Sequence, residues 1–339
     1  AKAELVWQDA MNLVTDIKYN ADSNGGNISF KVDRSSIRQG NAVIAIKDVS
    51  DAILWSWHVW VTDEDINNVI EITNHQNVKY NFMPVNLGQC DGNTITYEER
   101  SCKVKFIAGD QSKEITIKQL ANVIATGSNA PFYQWGRKDP LYPSNGMGNT
   151  TKIWYDKEGI PSTANPMKGT FSAGNDCIKN CILNPNLMHN RYNGDYTYYN
   201  LWSADNKTTS ANDNPVNKTI YDPCPVGFKL PASNAFTGFT TTGESVSSST
   251  QVNGTWSSSE KGWYFYTNSE KTQSIFFPAL GYRSYSTMRP GSIGTQGCFW
   301  SAHPVAKGNN YYLRTSSVDV QPTYMVDRGF GYALRPCQD

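Results

Sequence analysis

The sequence predicts a mainly β, α+β protein. An N-terminal β-sandwich-like domain covers residues 1–78, and a loop-rich second domain covers 79–339. Three observations lead there. Short runs of β-branched and aromatic residues alternate with turn clusters, and no sustained helical periodicity interrupts them. Aromatic residues reach 12% of the 339. Charged residues are only 18%, below the usual quarter, and 33 asparagines supply much of the missing polarity.

The elements follow in order. Glu4–Gln8, Leu13–Tyr19, Asn27–Val32, Ala42–Lys47 and Ile53–Val61 read as strands. Turn chemistry separates them, as at Asp22-Ser23-Asn24-Gly25-Gly26 and Arg38-Gln39-Gly40-Asn41. In Asn27–Val32, Ile28, Phe30 and Val32 share one face. In Ile53–Val61, Trp55 and Trp57 point one way and Trp60 the other, which predicts a strand covered on both sides. Lys79–Leu87, Lys103–Ile107 and Glu114–Gln119 continue the β pattern, the last two as a hairpin. Residues 120–215 are an irregular insertion with one candidate helix, Ala173–Leu183. They read as long packed loops, because they carry Trp135, Trp154 and Trp202. Beyond Tyr221, a turn and short strand lead into a brief helix from Ser233 to Phe236. Short strands then recur around Gly254–Ser257, Trp263–Phe265, Ser274–Phe277, Cys298–Ala302, Tyr311–Arg314 and Gly331–Arg335.

Charge and hydropathy exclude some functions. Thirty basic and 30 acidic residues cancel, which argues against nonspecific nucleic-acid binding and a polybasic membrane anchor. The longest apolar stretch, Ala52–Val61, is too short to span a bilayer. The chain opens Ala-Lys-Ala with no Met or secretory signal, as expected of a processed or truncated form.

Seven cysteines suggest a disulfide framework by their spacing. Cys90 and Cys102 flank a turn region, Cys177 and Cys181 lie four apart, and Cys224 and Cys337 each adjoin a proline. Cys298 is left over. Three bridges would place the protein in an oxidising compartment; seven reduced thiols would place it in the cytosol. Six cysteines allow 15 pairings, so spacing alone leaves the connectivity open.

Signatures of catalysis are sparse: there is no P-loop, nucleophile elbow, HExxH or paired CxxC. Gly146-Met147-Gly148 has no strand–helix frame. His58, His75, His189 and His303 show no metal-ligand spacing. His58 reads as a packed, hydrogen-bonded histidine within its strand, and His303 as a surface contact. Asp63-Glu64-Asp65 opens like a calcium loop, but Asn68 and Asn74 stand where Gly and Glu are needed, so it reads as a solvated turn. No metal or cofactor is expected.

The positive signal is aromatic and amide residues in loops. Trp and Tyr cover sugar faces while Asn, Gln and Arg bond hydroxyl edges, and the same side chains dominate protein-binding surfaces. The segment Trp300–Arg328 gathers Trp300, His303, Asn310, Tyr312, Arg314, Tyr324 and Arg328, with Tyr282, Arg283 and Tyr285 as neighbours. Strand alternation should bury about half of them, Trp300 first.

Four phrases stand in order: Tyr80-Asn81-Phe82-Met83-Pro84-Val85-Asn86-Leu87-Gly88, Cys224-Pro225-Val226-Gly227-Phe228-Lys229-Leu230-Pro231, Phe299-Trp300-Ser301-Ala302 and Gly329-Phe330-Gly331-Tyr332-Ala333-Leu334-Arg335-Pro336-Cys337. The set resembles the Fibrobacter succinogenes major paralogous domain over roughly 79–339. The leading part is similar to Bacteroidetes fimbrillin-family surface proteins, through Leu5-Val6-Trp7-Gln8-Asp9, Gly40-Asn41-Ala42-Val43-Ile44-Ala45, Ile53-Leu54-Trp55-Ser56-Trp57-His58 and Phe132-Tyr133-Gln134-Trp135-Gly136-Arg137-Lys138-Asp139-Pro140. The resemblance implies a C-type-lectin-like second domain, export as a lipoprotein and a Cys224–Cys337 bridge. Closing so long a loop stabilises by about 4–5 kcal/mol in the chain-entropy model. The sequence departs from the family pattern at Phe228 and Pro336, and it lacks the calcium-dependent sugar triplets: Gln321-Pro322-Thr323 has no acid.

The expectation is a non-enzymatic cell-surface binding protein of the outer membrane. It would be a pilus-associated or tip adhesin recognising a glycan or a surface protein. The alternative is a structural pilin or assembly subunit that polymerises by strand exchange without a ligand of its own.

Overall fold

The computed structural model describes residues 1–92, 94–125, 127–170, 174–190, 198–306 and 308–339. The protein is mainly β, with 43% strand and 6% helix in several antiparallel sheets. Strands β1 (Lys2–Gln8), β2 (Thr15–Asn20), β3 (Asn27–Lys31), β4 (Gly40–Lys47) and β5 (Ile53–Val61) open the chain. β4 pairs antiparallel with both β1 and β5. As the middle strand it buries Asn41 through Ala45 on both faces. The β2–β3 hairpin adds a small core in which Leu13 and Val14 meet Ala42 and Ile44. β5 is the edge of its sheet, and because Trp57 and Leu54 stay exposed the strand is not covered on both sides as expected.

β6 (Ile70–Thr73) and β7 (Lys79–Phe82) form a hairpin, with Ile70 opposite Phe82. The expected boundary between 78 and 79 therefore falls inside one supersecondary unit. β8 (Thr94–Tyr97), β9 (Arg100–Ala108), β10 (Gln111–Gln119) and β11 (Asn122–Ala125) make a long two-stranded ribbon. Its β9–β10 hairpin is the one read from the sequence.

The irregular insertion packs as long loops, with Trp135 and Trp202 fully buried. It contributes β12 (Tyr133–Gln134), β13 (Trp154–Tyr155), β14 (Pro161–Ser162), β15 (Met167–Gly169), α1 (Asn175–Leu183) and β16 (Leu187–His189). Ala173, the expected start of the helix, lies outside the described residues. β13 joins the N-terminal sheet beside β1, giving the order β14-β13-β1-β4-β5. The first 78 residues thus do not complete their own sheet.

The last third holds β17 (Phe228–Lys229) and a 3-10 turn, Ser233–Phe239. The Ser233 hydroxyl does not cap that turn; it donates to the Asn212 carbonyl at 3.1 Å. The meander β18 (Gly254–Ser257), β19 (Gly262–Tyr266), β20 (Ser274–Pro278) follows, then β21 (Tyr282–Arg283) and β22 (Pro290–Gly291). The meander β23 (Gln296–Pro304), β24 (Asn309–Ser316), β25 (Val320–Asp327) leads to β26 (Gly331–Tyr332) and β27 (Cys337–Gln338). β27 returns to pair with β7, in the order β17-β27-β7-β6. Two buried clusters hold these layers. One is phenylalanine-rich, around Phe82, Phe236, Phe265, Phe277 and Phe299; the other gathers Trp135, Trp202, Trp300, Tyr312 and Tyr332. Among the described residues no helix is long and apolar enough to cross a membrane.

Candidate functional site

The structure moves most of the sequence-predicted binding residues into the interior. Trp300, on β23, is fully buried; its ring lies 4.4 Å from that of Tyr332, and its Nε1 donates to the Tyr133 carbonyl at 2.8 Å. Asn310 is buried and donates to the carbonyls of Ser301 and Tyr311. His303 is buried rather than a surface contact, and its Nδ1 accepts from the Ser233 N–H. Tyr312 is buried against both Trp300 and Tyr332.

The arginines are the larger correction. Arg328 is fully buried, 4.1 Å over the Trp135 ring, and donates to the carbonyls of Asn309, Tyr198 and Val305. Arg283 is fully buried and donates to the carbonyls of Met288 and Tyr142. Loops without a ladder leave carbonyls unpaired, and a guanidinium with five donors satisfies several of them at once. These side chains build the scaffold. Tyr324 (46% exposed) and the Arg314–Asp319 pair remain at the surface, while Tyr282 and Tyr285 are half-buried against Phe330.

A cleft the sequence did not single out lies between α1 and the start of β5. It encloses about 580 Å³. Helical periodicity puts Asn175, Ile178, Lys179 and Ile182 on the cleft side of α1 and turns Cys177 and Cys181 inward. Ile53 and Leu54 (51% exposed) line the facing side. Tyr198, Asn200 and Tyr221 complete the lining, with the Tyr198 hydroxyl donating to Asn175 Oδ1 at 2.6 Å. The walls are apolar and the polar groups few, as a binding cleft requires.

The ground beneath is rigid. Gly136 has φ +84°, and a Cβ there would come within 2.4 Å of Leu201, so only glycine brings Trp135 and Arg137 this close. Lys138 and Asp139 form a buried ion pair at 2.8 Å, shared with the Ser56 hydroxyl of β5. Burial lowers the Lys138 pKa from its ordinary value, and Asp139 partly restores it. The Lys138 ammonium also sits 4.4 Å over the Trp55 ring.

No disulfide is present, so none of the Cys90–Cys102, Cys177–Cys181 and Cys224–Cys337 bridges that the sequence suggested is formed. Cys90 is buried beside Asn41, whereas Cys102 is exposed on the ribbon. Cys224 and Cys337 are both buried. Cys177, Cys181 and His189 converge, their ligand atoms within 4.8 Å of one another. Spacing in the sequence did not show this, because β16 brings His189 back across the helix only after a turn.

No protein-family model, curated protein or solved structure matches this chain.

Proposed function

We propose that this chain is a non-enzymatic cell-surface binding protein, a pilus-associated or tip adhesin whose ligand is a glycan or a surface protein. The cleft beside α1 carries the reading. It pairs apolar walls (exposed Leu54, half-buried Ile182) and the rings of Tyr198 and Tyr221 with the amide edges of Asn175 and Asn200, a combination that can cover a sugar face and bond its hydroxyls. The same lining suits an extended apolar peptide. A C-type-lectin-like second domain is part of the proposal. Its support is the order of the sequence phrases and the return of β27 to β7, which brings the first and last strands of that region together. Export to the outer membrane rests on the same resemblance.

Binding to a mixed array of glycans and extracellular proteins tests it, with and without EDTA. Saturable binding to one ligand class that Leu54→Asp and Ile182→Asp abolish, with the fold retained, is the expected result. A blank array with folded, monodisperse protein overturns the adhesin reading.

One observation favours the alternative, an assembly subunit. On the β9–β10 ribbon, Cys102, Val104, Phe106, Ile115 and Ile117 share one face, while Lys103, Lys105, Glu114 and Lys118 lie on the other. The ribbon is a two-stranded sheet, so both outer edges present unpaired backbone groups, and Phe106, Ile115 and Ile117 are exposed. A second copy of this chain that added a strand there would cover them. Light scattering reads this directly: assembly that Phe106→Asp with Ile117→Asp abolishes favours the subunit, and a monomer at every concentration removes it.

A further inference from the structure

We propose that Cys177, Cys181 and His189 form a buried, three-ligand site for Cu(I). Three observations carry it, none of which depends on the cleft or its ligand. The first is geometry. Cys177 and Cys181 stand one turn apart on the inner face of α1, and His189 Nε2 lies 3.4 Å from Cys177 Sγ. Metal–sulfur and metal–imidazole bonds of ordinary length at a trigonal angle put those atoms about 3.7 Å apart. A small side-chain adjustment brings the set to bonding distance.

The second observation is ligand number. Among the described residues the convergent set is these three buried groups. Structural zinc is almost always four-coordinate, whereas two soft thiolates with one imidazole suit a monovalent soft cation.

The third is charge. Arg137 is buried beside the cluster and lines the same small cavity as Cys177 and Cys181. Its terminal nitrogens donate to Gln134 Oε1 and to the carbonyls of Asn184, Pro185 and Leu187. Among the described residues its Nε has no hydrogen-bond partner and no carboxylate forms an ion pair with it. A buried cation with a spare donor calls for an anion. Two thiolates and one Cu(I) make a unit of net charge −1, which the guanidinium balances; with Zn(II) the unit is neutral and Arg137 stays uncompensated. Binding releases the two thiol protons to solvent and leaves the oxidation state of the ion unchanged. Arg137 is a positioning residue here, as is Gln134, whose Oε1 accepts from the His189 N–H at 2.9 Å.

The test uses the full chain, reduced and purified without oxygen, and titrated with Cu(I) held in a competing chelator. One Cu(I) per chain is expected, together with a higher Tm and, in an alkylation time course at a low denaturant concentration that opens the buried thiols, slower reaction of two thiols than in the ion-free protein. Cys181→Ser and His189→Gln should each weaken binding at least 100-fold. Thiol protection is read on the unmodified protein, so a variant that fails to fold does not remove the test. A parallel titration with Zn(II) should give weaker binding. Four results overturn the proposal: no stoichiometric Cu(I), unprotected Cys177 and Cys181, tighter Zn(II) than Cu(I), or a Cys177–Cys181 disulfide in the protein as isolated with no bound ion.

Discussion

Two histidines, His58 half-buried and His303 fully buried, set how this fold answers acid. His58 lies between Asn41 and Tyr133. The Asn41 amide nitrogen donates to Asp9 and to the Gly88 carbonyl, so its Oδ1 accepts from His58 Nε2–H at 2.9 Å. Nδ1 is then the acceptor for the Tyr133 hydroxyl at 3.0 Å. A second ring proton at Nδ1 would displace that bond, and desolvation pulls the His58 pKa from 6.5 down to about 3. His303, buried with Nδ1 accepting from the Ser233 N–H, is pulled by desolvation from 6.5 to about 4. Both folded values lie below the unfolded one, so the unfolded chain binds more protons through this range. Stability from the two neutral rings is present above about pH 7 and is lost as pH falls below 6.5. Between pH 7 and pH 5 the loss is about 2 kcal/mol per histidine, about 4 together, an upper figure for the partly exposed His58. Carboxylates titrate mostly below this window. Urea denaturation at pH 7, 6 and 5 measures the slope, and His58→Gln should roughly halve it. A total loss under about 1 kcal/mol, or an undiminished slope in the variant, would refute the reasoning.

Three further outcomes are expected. Trp300→Ala should destabilise by about 3–5 kcal/mol in chemical denaturation, because it empties a core position and leaves the Tyr133 carbonyl without its donor. Asp139→Ala should cost about 3–5 kcal/mol by stranding buried Lys138, whereas Lys138→Met with Asp139→Leu should return to within about 2 kcal/mol of the parent by the same measurement. Tyr324→Ala and Arg314→Ala should each change stability by less than about 1 kcal/mol in a thermal melt, since both side chains reach solvent.

What the sequence made legible was local. β3, β5 and the β9–β10 hairpin carry their own alternation and turn residues, and they stand close to where the pattern put them. The sequence offered Ala173–Leu183 as its one candidate helix in the insertion, and α1 forms over Asn175–Leu183. The sheet order was hidden, since pairing Gln8 with Tyr155 is a contact between residues nearly half the chain apart. So was the boundary: nothing in Thr73-Asn74-His75-Gln76-Asn77-Val78 separates a linker from a hairpin turn, and Asn74 supplies that turn with its own side-chain bonds to the Gln76 and Val78 N–H groups. The Cys177–Cys181–His189 cluster was half legible: the helix spacing of the cysteines was plain, the return of His189 was not.

The buried arginines show why composition does not separate a binding surface from a scaffold. Arg and aromatic residues in a loop-rich chain describe both a binding surface and a scaffold without ladders. Among the described residues four guanidinia are inside. Arg335 donates to the carbonyls of Met83, Pro84 and Phe276, and Arg137, Arg283 and Arg328 serve other loops in the same way. Each ties segments distant in the chain, so each carries fold stability that its residue type would suggest is affinity. An alanine scan over Trp300–Arg328 would therefore abolish binding by unfolding the protein and make scaffold residues look like contacts. Leu54 and Lys179 do not share that ambiguity. They line the cleft and take no part in the carbonyl network, so a change in affinity on substituting them, with an unchanged melt, reports on the ligand itself.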